Sequence, residues 1–157
     1  MDQQPQLNEV GVVRVGQIVT GAMVLGVLFF AGIAFANGQG QPPGDPTLGY
    51  VAIVFSAVLL ILSFIIPGIV ASQTLRRFGD DTSDNKYYAA FQTKLITRAA
   101  LIEAPAFFCG IAYMVTRLWW TLGLMLALVA LILAFFPTKG RLDDWMREQR
   151  ELDSFER

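Results

Sequence analysis

Apolar residues run along this chain in four long blocks separated by polar or turn-forming segments. A helix rises ~1.5 Å per residue, so about 20 apolar residues cross a hydrocarbon core of roughly 30 Å. The first block runs from about Val10 to Ala36 and is interrupted only by Arg14, Gln17 and Thr20 near its start. The second runs from Leu48 to Ser72, the third from about Leu95 to Thr116, and the fourth, the shortest, from Leu118 to Phe136. Asn37 to Pro46 (NGQGQPPGDP) holds three Gly and three Pro and cannot continue a helix, so it is read as a loop. Arg117 alone separates the third and fourth blocks, which predicts a very tight turn. Pro67 and Pro105 fall inside blocks and are predicted to kink rather than stop their helices, whereas Pro137 is predicted to end the fourth.

Composition agrees with the pattern. Of 157 residues, 54% are apolar and 16% charged, and the mean hydropathy is +0.50; a soluble globule has a different composition. The fold class expected is all-α: an integral membrane bundle of four transmembrane helices over residues 1–137, followed by a charged helical tail over 138–157. A formal charge of −1 excludes a basic nucleic-acid footprint. With no His and one Cys, His-ligated metals, haem held by His, Ser-His-Asp or Cys-His catalysis and an internal disulfide are excluded by count. No cofactor, metal or catalytic residue is expected.

Orientation follows from the basic residues, because short loops rich in Lys and Arg stay cytoplasmic. Eleven of the twelve lie at the N-terminal end (Arg14), in the second connection (Arg76, Arg77, Lys86, Lys94, Arg98) or in the tail (Lys139, Arg141, Arg147, Arg150, Arg157); only Arg117 is on the other side. Both termini are therefore expected in the cytoplasm, in a multi-pass protein of the inner (plasma) membrane. Tyr50, Tyr113, Trp119 and Trp120 then fall at the outer interface, where amphipathic rings are preferred. Ala34-Phe35-Ala36 has the look of a signal-peptidase site, and cleavage there would leave three spans. The apolar run before it is longer than a usual signal segment and carries no positive charge ahead of Arg14, so it is read as a span.

Between the second and third blocks, an acidic run (Asp80, Asp81, Asp84) reads as a solvated turn and lacks the spaced ligands of a calcium loop. The third helix is expected to start early, with Ser83 or Asp84 as N-cap and with Tyr87, Tyr88 and Phe91 anchored near the headgroups. In the tail, Leu142, Trp145, Met146, Leu152 and Phe155 recur among charges of both signs. That is the pattern of a weakly amphipathic surface helix, available for a protein partner or a second copy of the chain. Cys109 is read as packing.

Glu103 is the unusual residue. It is the only acid inside any block, roughly 12 Å past the start of the third, too deep for its short side chain to reach the interface easily. It is expected to face the bundle with a partner or to stay protonated. At 100° per residue, Ala99, Glu103, Ala106 and Gly110 fall within about 60° of arc. Small residues let another helix approach closely, so Ala99, Ala106 and Gly110 are read as a helix-packing face. Pro105 frees the carbonyl of Leu101, which a protonated Glu103 could use as acceptor. The cationic candidate is Arg14, in the first block from the same side. Two roles stay open for Glu103: a buried ion pair with Arg14, or an ion carrier.

The segment Ala100 to Tyr113 (ALIEAPAFFCGIAY) resembles the carboxylate-bearing helix of rotary ATPase proteolipid c subunits. Glu103, Ala104, Ala106, Phe108 and Gly110 supply its Glu-Ala-x-Ala pattern followed by an aromatic residue and Gly. The resemblance implies that Glu103 carries an ion, in four spans similar to those of the doubled V-type proteolipid. Gly110 sits one position later than in that pattern, Pro105 takes an ordinarily apolar position, and the glycine ladder is missing. The chain as a whole resembles families of uncharacterised four-span bacterial inner-membrane proteins that carry an A-L-x-E-A/G-P-A helix, which implies location and architecture. The function expected is non-enzymatic, an accessory or scaffold component of a membrane complex. The alternative is a proton- or cation-translocating protein that uses Glu103.

Overall fold

The computed structural model describes residues 9–38, 42–78 and 84–155. Among them the chain is all helical: α1 Glu9–Gly38, α2 Thr47–Arg77, α3 Asn85–Thr116, α4 Trp119–Ala134 and α5 Lys139–Phe155, with no strand. Three helices, α1, α2 and α3, are long and apolar enough to cross a membrane; a fourth span exists if α4 and α5, bent by 67° at their junction, are taken together. α1 and α2 each outrun their apolar block, and α3 begins ten residues before its own. Both prolines within the blocks are accommodated, since α2 continues past Pro67 and α3 past Pro105.

The termini of the helices show which local devices the chain uses. At α2, Asp45 accepts hydrogen bonds from the Thr47 backbone N–H and hydroxyl, and these hold its carboxyl below the ordinary carboxylate range. Asp84 occupies the position before α3, but its side chain does not cap the helix; it pairs with Arg150 of α5 instead. Ser83, Asp80 and Asp81 lie outside the described residues. The turn between α3 and α4 is as tight as the spacing requires: Arg117 takes a left-handed conformation (φ 58°), and its N–H bonds to the Tyr113 carbonyl. A non-glycine residue there is held against a steric cost of about 1–2 kcal/mol. The Thr121 hydroxyl and N–H then both donate to the Leu118 carbonyl and open α4.

α3 is the hub. α1, α2, α4 and α5 all pack on it, and α1 also meets α4 and α5. Many small residues line the inside of the bundle, beside Ile102, Met125 and Ile132, whereas many large apolar residues point out. Ala34, Ala52, Ser63, Ala106 and Ala112 are wholly buried, while Leu25 is 68% exposed, Phe29 73%, Val54 64% and Ile61 61%. Such an inverted surface would be unstable in water but is ordinary for helices in contact with lipid chains. The small-xxx-small pairs Ala22/Gly26 and Gly32/Ala36 of α1 lie on its exposed side; the buried seam runs through Gly16, Thr20, Val24, Val27, Ala31 and Ala34.

Two apolar cores result. The larger joins all four bundle helices around Val27, Ala52, Ile102, Ala106, Cys109 and Met125. The second unites Val12, Ala71, Tyr87 and Phe91 with Leu142, Trp145 and Met146 of α5. This second core departs from the expectation for the aromatic residues. Tyr87 and Phe91 are buried beneath α5 and not spread at an interface, because the three buried α5 residues, at i, i+3 and i+4, give that helix an apolar face that needs cover. At the opposite end the other aromatic residues gather, with ring centroids of Tyr50 and Trp120 6.1 Å apart and those of Tyr113 and Trp119 5.9 Å apart.

Candidate functional site

The register of α1 on α3 decides what Glu103 meets. Gly16 lies against Leu95, Gly26 against Phe107 and Gly38 against Tyr113, so the two helices run parallel. Glu103 is half-buried, at the border of the stripe whose members Ala99, Ala106 and Gly110 are buried. Arg14 is exposed, off the buried face of α1 that carries Val12 and Gly16. Two residues before Gly16 and eight after Leu95 put the two charged residues about 15 Å apart along the helix axes. The Arg14–Glu103 ion pair expected from the sequence is therefore not formed, and Glu103 makes no hydrogen bond among the described residues. Gln17, one turn on from Arg14, does turn inward, and its amide donates to the Pro137 carbonyl at 3.1 Å.

A second place holds far more chemistry. Where α4 stops at Phe135 and α5 bends away, a partly open cavity of about 160 Å³ forms between α1, α3, α4 and α5. From α3, residues 91, 94, 95, 98, 99 and 102 line it, a spacing of three and four that presents one continuous helical face. Three cationic side chains, Lys94, Arg98 and Arg141, share its wall, and no carboxylate does. Each of the first two is braced. The Arg98 guanidinium sits 4.7 Å from the Phe135 ring centroid and its Nε donates to the Ser63 carbonyl at 3.3 Å, while Lys94 Nζ lies 5.5 Å from the Trp145 ring centroid.

Thr20 of α1 also lines this cavity. It is 2% exposed and its hydroxyl oxygen has no hydrogen-bond partner. This is not the habit of helical threonines in this protein: Thr74, Thr93 and Thr116 each donate to the carbonyl four residues earlier, at 2.9, 2.8 and 2.7 Å. The cluster escapes a reading of the sequence that counts Lys94, Arg98 and Arg141 only as orientation charges. The available signal is the pair of cations at i and i+4 interleaved with Phe91, Leu95 and Ile102, which places charge on a face that is otherwise apolar.

Elsewhere, the Cys109 thiol contacts the Ser56 hydroxyl at 3.4 Å inside the core. Glu9 and Lys139 pair at 2.9 Å, and the carboxylate raises the Lys139 ammonium above its ordinary range. Among the described residues no group of three or more acidic or cysteine side chains is placed so that it could hold a metal ion. Comparison with known proteins finds no matching family model, no matching curated protein and no matching solved structure.

Proposed function

We propose that the protein is a four-span inner-membrane protein with both termini in the cytoplasm, and that it acts without catalysing a reaction, as an accessory or scaffold component of a membrane assembly. The observation that carries this reading is the docking of α5. Its apolar face is closed on the bundle by Leu142, Trp145 and Met146, while Asp143, Asp144, Arg147, Glu148 and Glu151 stay exposed on a helix held in one place. A rigid, mixed-charge platform at the end of an apolar bundle suits recognition of a charged partner. The fourth span is α4, which is uncharged from end to end, with the aromatic cluster at one end and the cationic cavity at the other. Its 16 residues rise only about 24 Å, a shortfall that a bilayer accommodates by thinning.

Membrane-impermeant maleimide tests the topology: a Cys at Gly44 is expected to label in intact cells and a Cys at Glu148 only after permeabilisation. On native gels in mild detergent the wild-type protein is expected in a complex larger than the monomer, lost when Asp143 and Glu148 are both changed to Lys. A monomer in both cases would refute the scaffold role.

The carrier reading keeps one observation in its favour: the Glu103 carboxyl is half-buried in mid-span, with no ion pair to hold it. A carrier is expected to be modified at Glu103 by dicyclohexylcarbodiimide and protected by the coupling ion. Absence of labelling in the native protein, with labelling after denaturation, removes this second reading.

A further inference from the structure

We infer that the cavity between α1, α3, α4 and α5 is a binding site for a phosphate-type oxyanion. Two independent features point there. First, Lys94, Arg98 and Arg141 converge on one small space whose lining contains no acid, an arrangement that self-repulsion opposes and an anion relieves. Second, Thr20 brings a buried hydroxyl to the same space and leaves it without the backbone bond that Thr74, Thr93 and Thr116 make. A hydroxyl, a guanidinium and an ammonium are the donors that anionic oxygens accept from most strongly, and Arg supplies two of its N–H groups in parallel.

The surroundings set the class of ligand. Phe135 and Trp145 hold the Arg98 and Lys94 cations against their faces, which limits the freedom those long side chains would lose on binding. A cavity of about 150 Å³ admits a six-membered carbon ring, so 160 Å³ takes a phosphate with its ester oxygens, whereas a whole nucleotide needs the several hundred Å³ of an ordinary ligand pocket. Leu95, Ile102 and Ile132 make the remaining wall apolar. Both a phospholipid headgroup and free phosphate meet these demands. The membrane placement proposed above bears only on the choice between them.

Native mass spectrometry of the full chain in mild detergent, with added phosphatidylglycerol or phosphatidylcholine, together with phosphorus NMR of inorganic phosphate, tests the inference. Wild type is expected to retain one phosphatidylglycerol in preference to phosphatidylcholine by about tenfold. Lys94→Gln with Arg141→Gln is expected to abolish the preference while leaving Arg98 on Ser63 and Phe135. Thr20→Val, which removes the hydroxyl and keeps the shape, is expected to weaken it several-fold, and Arg147→Gln on the outer face of α5 to leave it intact. Phosphate binding by the wild type without lipid preference, lost in the double variant, identifies free phosphate as the source and supports the site. The inference is overturned if wild type binds neither, or if the double variant binds as wild type does.

Discussion

Gly110→Leu is expected to destabilise the bundle by about 3 kcal/mol or more, read as a lower midpoint of thermal or SDS unfolding of the protein in detergent. Gly110 lies where α1, α3 and α4 meet. A Cβ there would stand 2.7 Å from Phe30 Cε1 and 3.2 Å from Met125 Sδ. Phe30 has little room to yield, since its ring is packed on that of Phe107 with centroids 5.4 Å apart. A single methyl in Gly110→Ala is expected to cost less, because the better helix propensity of Ala returns up to about 1 kcal/mol. Gly32→Ala is the control: nothing lies within 4 Å of its added Cβ, and its midpoint is expected at or slightly above that of the wild type. Equal midpoints for Gly110→Leu and wild type would show that the three helices do not approach as closely as described.

Trp145→Ala is expected to release α5 from a bundle that otherwise stays folded. Trp145 is 7% exposed, with its ring centroid 5.7 Å from that of Phe91. Truncating a buried Trp costs about 3–5 kcal/mol. Among the remaining ties of α5 are Leu142 and Met146 on the same face, the Arg150 guanidinium 5.9 Å from the Tyr87 ring centroid, and the ion pairs Glu9–Lys139 and Asp84–Arg150, whose basic ends are exposed; pairs open to solvent contribute little. When opening is fast relative to cleavage, proteolysis follows the open population, so trypsin is expected to cut at Arg147 and Arg150 about a hundredfold faster than in the wild type. Far-UV helicity of α1 to α4 is expected to persist. An unchanged tryptic half-life would mean that α5 is held by something other than its apolar face.

The two expectations differ in how far they were legible from residue order. Blocks of apolar residues, proline- and glycine-rich punctuation and the spacing of Leu142, Trp145 and Met146 are local properties, and they specify helices near their observed limits. Hydrophobicity over 20 residues is a sum, insensitive to which neighbour a helix meets. The partner of Arg14 is another matter. Depth alone suggested Glu103, but pairing depends on rotation and axial offset between two helices, and the contact of Gly16 with Leu95 puts the charges about 15 Å apart along the axis.

Residue order, then, was sufficient for an all-helical chain with apolar spans, a buried small-residue stripe on α3 and an amphipathic final helix, because each depends on periodicity within one segment. The cationic cavity depends on Thr20, Arg98, Ile132 and Arg141, which lie on four different helices and meet only once α5 has folded back beneath the bundle. No period along the chain encodes that meeting; it comes from helix packing, which brings residues more than a hundred positions apart into one wall.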